Sequence, residues 1–163
     1  MKEKRHYTNQ ERHKIYTAPK VKLKNVPAVP KQRNAKAVRL RKHIVSLYMG
    51  DLTEKCYCNA LGNYVYFIKK SIKETIEHAA GDAKSTLFAA NVDAIIDGAV
   101  KIRCLTPNSK GQRAFSKIHL LICPIRHYGY AKLTIGELHT PFKQGAKYVH
   151  YCVTAVSLKE IKK

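Results

Sequence analysis

Tyr64-Val65-Tyr66-Phe67-Ile68-Lys69-Lys70-Ser71-Ile72-Lys73-Glu74-Thr75-Ile76-Glu77-His78-Ala79-Ala80-Gly81 changes its hydrophobic period halfway. Up to Ile68 the residues alternate, with Val65 and Phe67 on one face and Tyr64, Tyr66 and Ile68 on the other, as in a strand. From Ser71 to Ala80, Ile72, Ile76 and Ala79 recur at helical spacing, and Gly81 is a stop signal. Strand and helix therefore coexist in one short stretch. Toward the N-terminus, Ile44 to Met49 opens with two β-branched residues and ends at Gly50-Asp51, which predicts a strand. Toward the C-terminus, Asn91 to Val100 predicts a second helix with Asn91 as N-cap, while residues 82 to 90 fit a helix or a loop. Alternation then returns at Ile118 to Ile122, at Tyr130 to Ile135 and at Tyr148 to Leu158. Pro124 to Gly129 reads as a connection, and Gly136 to Gly145 as a loop around Pro141. The expected fold is α+β: a small antiparallel sheet with two helices packed on one face, preceded by an extended basic N-terminal arm.

The chain has 163 residues, a formal net charge of +20 and 45% hydrophobic residues. That content excludes a fully disordered chain. The apolar runs, such as Ile118 to Ile125, fall far short of the roughly 20 residues of a spanning helix. The charge is uneven. Residues 1 to 43 hold 14 Lys/Arg against Glu3 and Glu11, a net of +12, and the rest of the chain a net of +8. We expect residues 1 to 43 to be an arm that contributes little to a core, and residues 44 to 163 to be the folded domain. Pro27-Ala28-Val29-Pro30 favours an extended path, and Ala35 to Lys42 a short helix. Met1 to Gln10 lacks the apolar stretch of a secretory signal, and five irregularly spaced cysteines argue for a reducing cytoplasm. Cys56-x-Cys58 lacks the second pair a zinc site needs.

A large positive excess suits nucleic-acid phosphates, an anionic membrane or plain solvation. The arm lacks the amphipathic helix that a membrane surface favours, and nucleic acid is the preferred partner, RNA before DNA. The arm candidates for phosphate contact are Lys20, Lys22, Lys24, Lys31, Arg33, Lys36, Arg39, Arg41 and Lys42.

Nucleotide-binding glycine loops, a serine-hydrolase elbow and His-Glu-x-x-His are all absent from the sequence. Carboxylates are too scarce for a two-metal nuclease, so no cofactor or metal is expected. Cleavage of RNA without metal needs a base, an acid and cations. On the helix at 71 to 80, Ser71, Glu74 and His78 share one flank, and Lys69, Lys70 and Lys73 lie nearby. An ordinary surface ion pair fits the same spacing. Lys132 and Thr134 share one face of their strand, as do Tyr148, His150, Cys152 and Thr154 of the last. With Tyr130 they would line an open basic and aromatic sheet surface suited to single strands. His119 and His127 show no companions and are expected to be surface residues.

The order of features also resembles a known group. The run Ile44 to Leu52 ends in Gly50-Asp51-Leu52, and Tyr64 to Ile68 leads into Lys-Lys-Ser-Ile-Lys-Glu-Thr-Ile-Glu-His at 69 to 78. A second helix and three closing strands follow. This pattern resembles the phage-type domains of the barnase, EndoU, colicin and RelE-like nuclease superfold, over residues 44 to 160. More closely, it looks like the domains of that group associated with large polyvalent proteins of phages and conjugative elements. The resemblance implies helices on an antiparallel sheet, and metal-independent RNA cleavage or a binding relative that has lost it. It implies His78 as acid or base with Lys73 before it. Lys132, Thr134, His150 and Thr154 follow by residue type alone. The expected function is a metal-independent ribonuclease-like domain of a mobile element. The alternative is a non-catalytic accessory or ribonucleoprotein structural protein. A protein partner, such as an antitoxin-like inhibitor, stays open.

Overall fold

The structure is a computed structural model that describes residues 7–24, 26, 29–50, 55–107, 114–142 and 146–156, and all that follows concerns these. In chain order the elements are helices α1 (Asn9–Thr17) and α2 (Ala35–Gly50), strands β1 (Lys55–Cys58) and β2 (Asn63–Tyr66), and helices α3 (Lys69–Ala79), α4 (Ala83–Ala90) and α5 (Val92–Gly98). Strands β3 (Val100–Leu105), β4 (Phe115–Ile125), β5 (Gly129–Phe142) and β6 (Ala146–Val156) complete the chain. The six strands form one open sheet in the order β1-β2-β6-β5-β4-β3. The α+β expectation holds, with a larger sheet. It is mixed rather than antiparallel, because β2 runs parallel to β6 at Val65↔Tyr148 and Tyr66↔Val149. Among the described residues no helix is long and apolar enough to cross a membrane.

Alternation along β4 and β5 gives the sheet two apolar faces. Leu121, Cys123 and Ile125 of β4 and Ala131, Leu133 and Ile135 of β5 pack with Val45 and Met49 of α2, Ala79 of α3, Phe88 of α4 and Ile95 and Ile96 of α5. Four helices, rather than two, thus share this core. Each fully buried Leu, Ile or Phe contributes about 1.5–3 kcal/mol, so this cluster dominates the fold's stability. Leu120 and Ile122 point to the other face and pack with Ile102, Val156, and Tyr7 and Ile15 from the N-terminal segment.

The N-terminal segment therefore does more than extend. Thr8 and Glu11 close a capping box: the Glu11 N–H donates to Thr8 Oγ1 (3.1 Å) and the Thr8 N–H to Glu11 Oε1 (2.8 Å). Arg103 of β3 then holds Glu11 through two hydrogen bonds, Nε to Oε2 at 2.9 Å and Nη2 to Oε1 at 2.5 Å. Val21 makes a parallel bridge to Ile125, and the Val21 N–H donates to the Pro124 carbonyl at 2.9 Å.

Ile44 to Met49 is helical, against the strand expectation. The Ala37 N–H donates to Asn34 Oδ1 (2.8 Å), starting the helix, and Ala37, Arg41, Val45 and Met49 are all buried at four-residue spacing. That stripe packs on the core and overrides the strand preference of Ile44 and Val45. Residues 82 to 90 form α4, with the Ser85 N–H donating to Asp82 Oδ1 at 2.8 Å. The predicted loop after Gly136 is strand as far as Phe142. Gly136 fits because Phe115 lies over it; a Cβ there would meet the ring at 2.5 Å. Asp51 and Leu52, Pro27 and Ala28, Asn108 and Gly111, and Leu158 lie outside the described residues.

Pairing of β5 with β6 jumps from Thr134↔Cys152 to Ile135↔His150, leaving Tyr151 as an extra residue. This bulge reverses the face of everything before it. Beyond Val149 the free edge of β6 is met by helix side chains. The Ala155 N–H donates to Ser85 Oγ (3.0 Å), and Thr75 Oγ1 reaches the Tyr151 carbonyl at 3.3 Å.

Candidate nucleic-acid interface

Three segments far apart in sequence converge on one open groove of about 820 Å³. The first wall is the arm, with Lys22, Lys24 and Lys31 above an apolar floor of Leu23, Val26 and Val29. Asn91 fixes its path. The Lys24 N–H donates to Asn91 Oδ1 (3.0 Å), and Asn91 Nδ2 donates to the Leu87 carbonyl at 3.0 Å. Asn91 stands at the head of α5 as expected but makes no side-chain cap there, because its amide is spent on the arm. The second wall is the first turn of α4, with Lys84. The third is the β4–β5 turn, Arg126, His127 and Tyr128. His127 has φ +72°, a left-handed conformation that lets three residues close the hairpin ahead of Gly129. Among the described lining residues there are five Lys/Arg and no carboxylate. Such clustering in a concave surface focuses a positive potential that attracts polyanions.

Of the predicted arm residues, Lys22, Lys24 and Lys31 line this groove, while Lys20, Arg33, Lys36 and Arg39 are exposed outside it. Lys42 pairs with Glu77 at 3.2 Å. Arg41 is a correction. It is 1% exposed, and its guanidinium donates to the carbonyls of Ala80 (2.7 Å), Pro30 (2.9 Å) and Gln32 (2.6 Å). It ties the arm to the helical layer and offers nothing to a phosphate. Lys84, Arg126 and Tyr128 were not singled out from sequence, and His127 was set aside as without companions, because only the folded chain places them beside the arm.

The sheet surface is smaller than expected. Tyr130, Lys132, Thr134, Cys152 and Thr154 do share a face, through the pairs Lys132↔Thr154 and Thr134↔Cys152. Thr134 Oγ1 donates to the Cys152 carbonyl at 3.3 Å. Tyr130 is half-buried against the α1 face. His150 is a second correction, since the bulge at Tyr151 turns it into the core. It is fully buried beside Phe67, with Thr75 Oγ1 3.0 Å from Nε2. Burial pushes its pKa down to about 3, so it is neutral and shielded from any ligand. Tyr148 lies on the same side as His150, edge-on to His119 with ring centroids 5.6 Å apart.

On α3 the geometry follows the helical wheel. His78 Nε2 stands 3.2 Å from Glu74 Oε2, one turn away, with the ring more than half exposed. Lys73 is exposed beside them. Burial raises the Cys152 thiol to about 11, and both Lys132, which lowers it, and Glu74, which raises it, act on it electrostatically. Burial likewise raises the Cys56 and Cys58 thiols. Among the described residues no group of three His, Cys, Asp or Glu side chains could hold a metal ion.

Fold and groove together define a basic α+β domain with an open mixed sheet. Residues 35–158 match the family Large polyvalent protein-associated domain 3, and the chain belongs to that family. The resemblance to domains associated with large polyvalent proteins is thereby met. No curated protein and no solved structure matches the chain.

Proposed function

We propose that this chain is a nucleic-acid-binding domain of a mobile genetic element, taking RNA before DNA along the groove between arm, α4 and the β4–β5 turn. The observation that supports it is the convergence of Lys22, Lys24, Lys31, Lys84 and Arg126 around Tyr128 without a carboxylate among the described lining residues. Lysines and arginines release counterions from phosphates, and a tyrosine ring stacks on an unpaired base. Binding of a single-stranded RNA measured against salt tests it. Each phosphate contact adds about 0.7 to the log–log slope for single strands, so a Lys22→Ala/Lys24→Ala/Lys31→Ala variant flattens it by about 2. An unchanged slope refutes the groove.

The contact between His78 and Glu74 favours a second reading, metal-independent RNA cleavage in the manner of the nuclease superfold. Glu74 would orient the imidazole for proton transfer and Lys73 of the same helix would supply a cation, while Lys132 and Thr134 pair with Ile122 and Leu120 on the sheet face away from the helical core. RNA cleavage in excess EDTA, lost in His78→Ala, is its expected result. Equal cleavage by both proteins removes His78 from the chemistry. Binding without products leaves an accessory role.

A further inference from the structure

At the end of β4 away from the groove, a thiol, an imidazole and a carboxylate stand in line. His119 and Arg126 are seven positions apart in sequence, roughly 24 Å along an extended strand, so the two places are distinct. Cys104 lies on edge strand β3 directly opposite His119, and its thiol is exposed. Cys104 Sγ is 3.4 Å from His119 Nδ1, and His119 Nε2 is 2.8 Å from Glu137 Oε1. The ring is fixed: against the surface expectation it is 3% exposed, and Tyr148 lies edge-on against it. Glu137 is held in turn, with Lys147 Nζ at 3.9 Å from Oε2 and Ser116 Oγ donating to its carbonyl at 3.2 Å. The three groups form a relay rather than a chelate, because each neighbour uses a different ring nitrogen. We propose that Cys104, His119 and Glu137 form a thiol nucleophile centre that accepts an acyl group from an activated ester or thioester.

The residue types fit the roles. A thiol attacks as the thiolate, so it needs a base at hydrogen-bond range. Burial lowers the pKa of His119, with Lys101 and Lys117 adding to that, while the Glu137 hydrogen bond opposes it. The ring is therefore neutral near pH 7 and able to accept a proton. The His119 hydrogen bond holds Glu137 below its usual range, against the burial that raises it and with help from Lys147 and Lys117, so it stays ionised. In the step itself the thiol proton moves to Nδ1 and the sulfur pair forms a bond to the acyl carbon. The carbonyl π pair moves to oxygen. Collapse of that intermediate breaks the bond to the leaving group, which takes the proton back from Nδ1. The product is an acyl thioester on Cys104 plus the protonated leaving group, with no change in oxidation state. Cys104 is the catalytic residue, His119 the proton carrier and Glu137 a positioning residue.

The test uses the full chain with p-nitrophenyl acetate at pH 7, following p-nitrophenolate release and mapping the acetyl group by mass spectrometry. N-acetylcysteine at equal thiol concentration is the reference, since exposure alone would give the same rate as that free thiol. We expect acetylation at Cys104 at least about tenfold faster than the reference, the low end of what a positioned base supplies. His119→Asn brings the rate down to the reference. Because the Glu137 hydrogen bond raises the His119 pKa, Glu137→Gln keeps the imidazole but moves the rise of rate with pH to lower pH and slows the reaction, which a merely structural role would not do. A wild-type rate equal to that of N-acetylcysteine, or acetylation spread over the other cysteines, overturns the proposal without need of any variant.

Discussion

Acidifying the protein from about pH 7.5 to about pH 5 should cost it about 2 kcal/mol through His150 alone. The imidazole is fully buried, packed on Phe67 and opposite Ile135, and its Nδ1 has no hydrogen-bond partner among the described residues. A second proton would place an uncompensated charge in that core, which is why its pKa falls from 6.5 to about 3. The folded-state value is depressed, so the unfolded chain binds the proton first. The stabilisation is complete above about pH 6.5 and drains as the pH falls toward about 3. Within that window each pH unit costs about 1.4 kcal/mol. At pH 5 the loss is about 2 kcal/mol, a large share of the 5–15 kcal/mol typical of a domain. His119, also depressed, adds in the same direction. The assay is urea unfolding at several pH values, for the wild type and for His150→Gln, whose amide reaches Thr75 and takes up no proton. The variant should lose about 2 kcal/mol less than the wild type over this range. Parallel pH dependences, or a His150 ring that titrates near 6.5 in the folded protein, would refute the reasoning.

Other perturbations probe the contacts that assemble the fold. Replacing Arg41 by Ala removes hydrogen bonds to three carbonyls at the junction of arm and helices, and should cost roughly 3 kcal/mol in urea unfolding. Gly136→Ala drives a Cβ into the Phe115 ring and should destabilise by about 1–3 kcal/mol, with a lowered melting temperature. Glu11→Gln weakens the tie to Arg103 and should cost roughly 1–3 kcal/mol. Burial raises the Glu11 pKa, but the Arg103 and Thr8 contacts outweigh that and hold it below 4.5. Its stabilisation is thus present above that value and lost as the pH falls further, and the variant should lack this acid-side loss.

Much of the fold was readable because local pattern and tertiary environment agreed. The alternation of Ile118 to Ile122 and Tyr130 to Ile135, and the Ile72/Ile76/Ala79 stripe, all appear where expected. The errors arose where the two conflicted. Ile44 and Val45 favour strand locally, but the burial of Arg41, Val45 and Met49 at four-residue spacing decides for helix. The capping box at Thr8 and Glu11 was a readable sign of α1, hidden by the basic composition around it. His150 was misplaced because one extra residue at Tyr151 reverses an alternation that no local feature interrupts. Cys104 and His119 meet only through the register of β3 on β4, and Glu137 only across β5, so spacing along the chain could not reveal that relay.

The groove is lined by Lys22, Leu23, Lys24, Val26, Val29 and Lys31, by Ala83, Lys84 and Leu87, and by Arg126, His127 and Tyr128, and no stretch of the unfolded chain reproduces it. The unfolded chain nevertheless keeps all 31 Lys/Arg and attracts polyanions by itself. Folding therefore concentrates charge rather than creating it. A ligand that exploits the convergence shifts the equilibrium toward the native state only by the excess of its native affinity over its affinity for the open chain. A short oligonucleotide that fits the three walls should raise the melting temperature. A long polyanion that wraps either state equally should leave it unmoved, however tightly it binds.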